Sequence, residues 1–210
     1  MFSAALHALP SSLAHATRPG LWHAATWHGI GQRASHTSAQ PAPTTGTPEM
    51  PPALHLIWRD EADTAAFAQR LAAQPAVRHA FIELRGELGA GKTTFVRHLL
   101  RALGITGRIK SPTYAVVEPH QTPDGLAVSH FDFYRFNDPR EWEDAGFRDL
   151  FAAPGLKLAE WPDKAAGLLP VPDLTLHIDW LAQDDQRAVR AQAGTARGAL
   201  LLQGLREVNP

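Results

Sequence analysis

Gly86-Glu87-Leu88-Gly89-Ala90-Gly91-Lys92-Thr93 is the stretch on which the reading of this chain turns. Two glycines separated by four residues and followed by Lys and Thr fit the phosphate-binding loop. Such a loop turns its backbone N–H groups inward around an anion, and Gly86, Gly89 and Gly91 supply the φ values and close approach this demands. Lys92 would set a point charge on the β- and γ-phosphates, and the Thr93 hydroxyl would ligate the Mg²⁺ that bridges them. The helix starting at Lys92 adds its N-terminal dipole to the same anion. The pattern therefore predicts a grip on a nucleoside triphosphate, with the loop from Gly86 to Gly91, Lys92, Thr93 and Thr94 as candidate nucleotide contacts. A bland glycine-rich turn is the alternative, but Ala80 to Arg85 reads as a strand and Thr94 to Leu103 as a helix, the order such a loop needs.

Outward from the loop, Leu54 to Trp58 reads as a short strand. A helix from Thr64 to about Gln74 is expected next, capped by Asp63 and ended by Pro75. After the loop helix, Gly104 is its C-cap, and Ile105 to Thr113 is a loop. Tyr114 to Glu118 and Ala127 to Phe133 flank Pro123-Asp124-Gly125 as a hairpin, which makes part of the sheet antiparallel. Asp138-Pro139 opens a short helix that stops at Gly146. Leu156 to Glu160 and Leu174 to Trp180 are strands, Arg187 to Ala193 an edge strand, and Thr195 to Leu205 a short amphipathic helix. The fold class expected is α/β: a three-layer P-loop NTPase fold with a central, mostly parallel sheet and antiparallel additions.

Composition bounds the rest. A chain of 210 residues, 44% hydrophobic and with formal charge −1, holds one ordinary domain and an appendage, with no global basic excess for nucleic acid. The absence of cysteine excludes disulfides, thiolate metal sites and a Cys nucleophile. No apolar run approaches the ~18 residues of a membrane span, so a cytoplasmic protein is expected. Residues 1–52 carry no acid before Glu49 and no sustained period, and the domain is expected over 53–210. A disordered extension, a mis-started frame with Met50 as initiator, and a transit peptide are the readings open for that segment. Its histidines, among them His7, His15 and His23, fit no ligand spacing.

Phosphate binding alone hydrolyses nothing, because the metal needs a carboxylate and the attacking water a positioner. Asp132 ends an apolar strand, where a second Mg²⁺ ligand beside Thr93 belongs. Glu160 ends another, at the strand edge where α/β sheets bind ligands, and there it would position or deprotonate water or join the metal's surroundings. Ser111 and Thr113 lie where a nucleotide-sensing loop follows the helix, though turn chemistry at Pro112 explains them as well. Trp161 and Tyr134 flank the acids as stacking surfaces or as core. His130 shares the face of Asp132 by period two and reads first as a structural hydrogen-bonder.

Taken in order, the Gly86 to Thr94 loop, Lys110-Ser-Pro-Thr-Tyr114, His130-Phe-Asp-Phe-Tyr-Arg135 and Glu160-Trp-Pro162 resemble the TsaE family over roughly residues 54 to 180. These are small P-loop ATPases of bacterial tRNA threonylcarbamoyladenosine biosynthesis. The resemblance implies ATP with Mg²⁺ and association with the TsaD and TsaB proteins, whose complex it would reset by hydrolysis, with tRNA contacted through that complex. It also implies Lys92 and Thr93 for phosphate and metal, Thr113 for the switch loop, Asp132 for the metal, and Glu160 with Trp161 beside the nucleotide. Asp163 departs from the Glu common there after Trp-Pro. Two other readings stay open: a small-molecule kinase, which usually adds an arginine-rich lid, and a nucleotide-gated assembly factor that does not hydrolyse. The guanine-reading Asn-Lys-x-Asp run of GTPases is absent from the sequence.

Overall fold

Four consecutive buried side chains, Phe81 to Leu84, mark β2 (Phe81–Arg85) as a strand covered on both faces, the signature of a strand inside a parallel sheet. The computed structural model describes residues 52–181 and 186–206, and β2 lies at the middle of a seven-stranded sheet ordered β1-β7-β6-β2-β5-β4-β3. The other strands are β1 (Ala53–Trp58), β3 (Val117–Gln121), β4 (Ala127–Asp132), β5 (Leu156–Glu160), β6 (Leu174–Trp180) and β7 (Arg187–Ala193). The α-helices among the described residues are α1 (Glu61–Ala72), α2 (Lys92–Ala102), α3 (Pro139–Asp144), α4 (Phe147–Ala152) and α5 (Ala196–Arg206).

Strands β6, β2, β5 and β4 are mutually parallel, whereas β1 with β7, β7 with β6, and β3 with β4 are antiparallel. Three of the six pairings are therefore parallel, so the sheet is mixed and not mostly parallel as expected. The difference lies at its C-terminal side, where β7 folds back on β6 and β1 pairs beyond it. That also corrects the expected edge position of β7, which is paired on both sides. Its alternating burial specifies a covered face, not its neighbours.

Period-two alternation sends Ile82, Leu84, Leu158, Leu174 and Leu176 to one side, where they pack with Phe67 and Leu71 of α1, Phe95 and Leu99 of α2, and Leu201 of α5. Trp58, Phe67 and Phe95 form an aromatic trio there, with centroids 5.4 to 6.0 Å apart. Phe81 and Phe131 point the other way, into a cluster with Phe133, Trp142, Phe147 and Phe151 from α3, α4 and their surroundings. Helices thus cover both faces of β2, β5 and β4.

Local chemistry explains the remaining corrections. Helix α1 is capped by Asp60, whose Oδ1 accepts the Asp63 N–H at 2.9 Å, and not by Asp63. Asp63 instead accepts from the backbone N–H and guanidinium of Arg59. The hairpin begins at Val117 and not Tyr114, because the Val116 N–H turns back to Pro112 O at 2.7 Å with Val116 at φ +64°. Gly146 closes α3 as expected, but its left-handed backbone also opens α4, a helix unforeseen in the sequence. The expected extension of 1–52 falls outside the described residues up to position 51. Among the described residues no helix is long and apolar enough to cross a membrane.

Candidate functional site

Parallel strands deliver their C-terminal ends to one edge, and there Leu84 of β2 pairs with Glu160 of β5, which pairs with Asp132 of β4. The two carboxylates stand side by side next to the point where β2 runs into the glycine loop, and both are buried. This edge is where α/β sheets bind ligands.

Gly86 is indispensable at that exit: its φ is +141°, and a Cβ would sit 2.1 Å from the Ile178 carbonyl oxygen of β6. Gly91, at φ +109°, turns the chain into α2. Between them, Ala90 is buried, its N–H donates to Glu87 O, and its carbonyl accepts from Arg187 Nε of β7 at 2.9 Å. The sequence offers no signal for that long-range strut.

Lys92 points back into the loop, where Nζ donates to Gly86 O at 2.7 Å and Glu87 O at 2.9 Å. It also lies 3.8 Å from the centroid of the Trp161 ring, a cation–π contact. Burial holds its ammonium below the usual lysine range, opposed by the charges of Glu160, Asp132 and Glu87. The neighbouring Thr93 Oγ1 donates to Glu160 Oε2 at 2.8 Å, and the other Glu160 oxygen lies 2.9 Å from His130 Nε2. Asp132 Oδ2 accepts from Ser111 at 2.7 Å and Thr113 at 2.9 Å, while Oδ1 accepts the Tyr134 N–H at 3.0 Å. Trp161 has a left-handed backbone, φ +58°, and its ring meets Tyr134 at 5.0 Å.

These groups surround a cavity of about 340 Å³ lined by Leu88, Gly89, Gly91, Lys92, Thr93 and Thr94 on the loop side. Ser111, Thr113, Asp132, Tyr134, Glu160 and Trp161 line the sheet side. Of the sequence-predicted contacts, Gly86, Glu87 and Ala90 do not line it. The first two give their carbonyls to Lys92, and Ala90 packs beneath the loop. Period two makes the shared face of His130 and Asp132 legible in the sequence, but not the tie from His130 to Glu160.

The donor set is hydroxyl and carboxylate oxygen, which suits a hard cation such as Mg²⁺. Among the described residues no three His, Cys, Asp or Glu side chains cluster as a metal cage. Mg²⁺ does not require one, since it usually takes one or two carboxylates, waters and phosphate oxygens. Gly89 and Gly91 bring backbone without a Cβ, and Lys92 its ammonium, to the wall of the same cavity, which likewise fits an anionic phosphate group.

The sequence model of the family described as "Threonylcarbamoyl adenosine biosynthesis protein TsaE" matches residues 58–189. The chain belongs to the TsaE family. The TsaE protein of Bacillus subtilis is 36% identical over 153 residues, covering 71% of this chain and 93% of that protein. The TsaE protein of Haemophilus influenzae is 43% identical over 117 residues, 56% of this chain and 72% of that protein. The crystal structure of YdiB from Bacillus subtilis matches with a TM-score of 0.62 at 30% identity, covering 77% of this chain and 99% of that one. Asp163, which follows Trp161-Pro162, is exposed and pairs with Arg85, itself bonded to Glu83 at 2.8 Å. Its carboxylate is not among the groups that line the cavity.

Proposed function

We propose that this protein is a Mg²⁺-dependent ATPase of P-loop NTPase fold that serves threonylcarbamoyladenosine formation in tRNA, hydrolysing ATP to reset a TsaD–TsaB complex in the cytoplasm. Membership of a family named for threonylcarbamoyl adenosine biosynthesis supports the pathway. The observation that carries the chemistry is the 2.8 Å hydrogen bond from Thr93 to Glu160, because it joins the glycine loop to the acidic strand edge. A phosphate grip and a carboxylate fit to act on water thus share one cavity.

Lys92 would exchange the carbonyls of Gly86 and Glu87 for phosphate oxygens, and the loop N–H groups would hold the anion. Thr93, Asp132 and Glu160 would hold Mg²⁺, which would supply positive charge against the phosphate that Lys92 meets. Glu160 would orient or deprotonate the attacking water. Ser111 and Thr113, already bonded to Asp132, would make their loop responsive to the nucleotide, giving partners a surface to read. tRNA would be met through those partners.

Lys92→Ala should fail to support tRNA modification in cells depleted of the native protein, and normal modification would sink this reading. Glu160→Gln, assayed separately for ATP turnover and for complex formation, should lose turnover while still assembling. Full modification activity without turnover would replace the hydrolytic timer by a pure nucleotide gate.

A further inference from the structure

The structure assigns His130 a positioning role, fixing the carboxylate plane of Glu160 toward Thr93 and the cavity, an inference that rests on the ATPase reading above. His130 has no solvent exposure and Glu160 is 2% exposed. The two are diagonal neighbours on one sheet face: His130 pairs with Leu158 and Asp132 with Glu160, a separation that long side chains bridge.

The last torsion of a glutamate is broad and roughly two-fold, so one hydrogen bond leaves its carboxylate plane poorly set. Glu160 has two, in different directions: Oε2 receives the Thr93 hydroxyl at 2.8 Å, and Oε1 faces His130 Nε2 at 2.9 Å. The imidazole is thereby a clamp on the oxygen turned from Thr93.

The other ring nitrogen specifies the tautomer. His130 Nδ1 is buried and has no hydrogen-bond partner among the described residues. An unpaired buried N–H is rarer than an unpaired acceptor, so Nδ1 carries the lone pair and Nε2 the proton, which it donates to Glu160. That makes His130 a fixed donor, as second-layer groups around working carboxylates are.

Two measurements on the full-length protein test this. In a ¹⁵N-histidine spectrum recorded without nucleotide, His130 should show a protonated Nε2 and a bare Nδ1. The reverse tautomer, with a bare Nε2 facing Glu160, overturns the clamp. His130→Leu should lower kcat for ATP about tenfold or more. KM and ADP affinity should stay within about threefold. His130→Gln, whose amide N–H replaces the Nε2 donor, should recover kcat to within about threefold of the native value. Unchanged kcat in the Leu variant, or an equal fall in both variants with native thermal unfolding, refutes positioning. Should either variant misfold, the spectrum alone decides. Native protein that turns over no ATP would overturn the functional reading, whereas the spectrum tests the His130–Glu160 bond independently of hydrolysis.

Discussion

Replacing Gly86 by alanine tests both the fold and the loop, and the structure supplies its own control in Gly91. At Gly86 the new Cβ would lie 2.1 Å from the Ile178 carbonyl oxygen. That is a backbone atom of a paired strand, so it cannot swing aside. Overpacking of this kind costs about 1–3 kcal/mol, and holding an L-residue at φ +141° adds about 1–3 kcal/mol. At Gly91, φ is +109° and nothing among the described residues lies within 4 Å of an added Cβ, so only backbone strain of about 1–2 kcal/mol applies. Urea unfolding without nucleotide should therefore find Gly86→Ala less stable than Gly91→Ala by about 1–3 kcal/mol at unchanged slope. Because Lys92 Nζ donates to Gly86 O, displacement at Gly86 should also weaken nucleotide binding. Equal losses in the two variants, or a larger one at Gly91, would refute the claim that close approach to β6 is what demands glycine.

Phe95, fully buried between Trp58 and Phe67, should cost about 3–5 kcal/mol on truncation to Ala in the same assay. A loss under about 1 kcal/mol would contradict the packing described. Ser111→Ala and Thr113→Val each remove one donor from Asp132 Oδ2; calorimetric titration should find Mg²⁺-dependent nucleotide affinity reduced about 3- to 10-fold by the pair. Since either hydroxyl can serve that oxygen, the double variant should lose more than the two singles together, and strict additivity would argue against a shared acceptor. Hydrogen bonding from Arg59 pulls the Asp63 carboxyl down to about 2. A folded value below the unfolded one gives stability that is complete above about pH 4 and is lost as pH falls toward 2. Asp63→Asn should flatten that part of the acid limb, and about 1 M salt should shrink the difference. An unaltered limb would show that the exposed pair contributes nothing.

What the sequence made legible was whatever chemistry depends on neighbours along the chain. The glycine loop, Lys92 and Thr93 could be read because phosphate binding needs them within a few residues of each other, and Asp132 and Glu160 because each ends an apolar strand. The bond between Thr93 and Glu160 could not be read, since it spans 67 positions and exists only because β5 lies next to β2. Arg187 bracing Ala90 is hidden for the same reason. Asp60 and Asp63 both stood near the start of α1, and only backbone geometry separates the cap from the ion pair. Six residues of α4 are too few for a period to declare itself, and Val116 gives no sequence hint of a left-handed turn.

The acidic half of the site is a property of register more than of any motif. Side chains alternate with a period of two, so a one-residue slip of β5 would carry Glu160 to the face of Phe81 and Phe131 and bring Ala159 beneath α2. Burial opposes that slip from both sides. Leu156 and Leu158 are wholly buried on the helix side, and on the other side Lys157 spends its ammonium on the carbonyls of Ala153 and Gly155. Past the strand end, the Phe133 N–H donates to Glu160 O at 3.0 Å, continuing the ladder beyond Asp132. The apolar alternation that holds β5 in the core therefore also sets Glu160 against Thr93 and Asp132 beside it. Core and cavity are two readings of one register, which is why a glycine loop found in many folds acquires its particular pair of acids here.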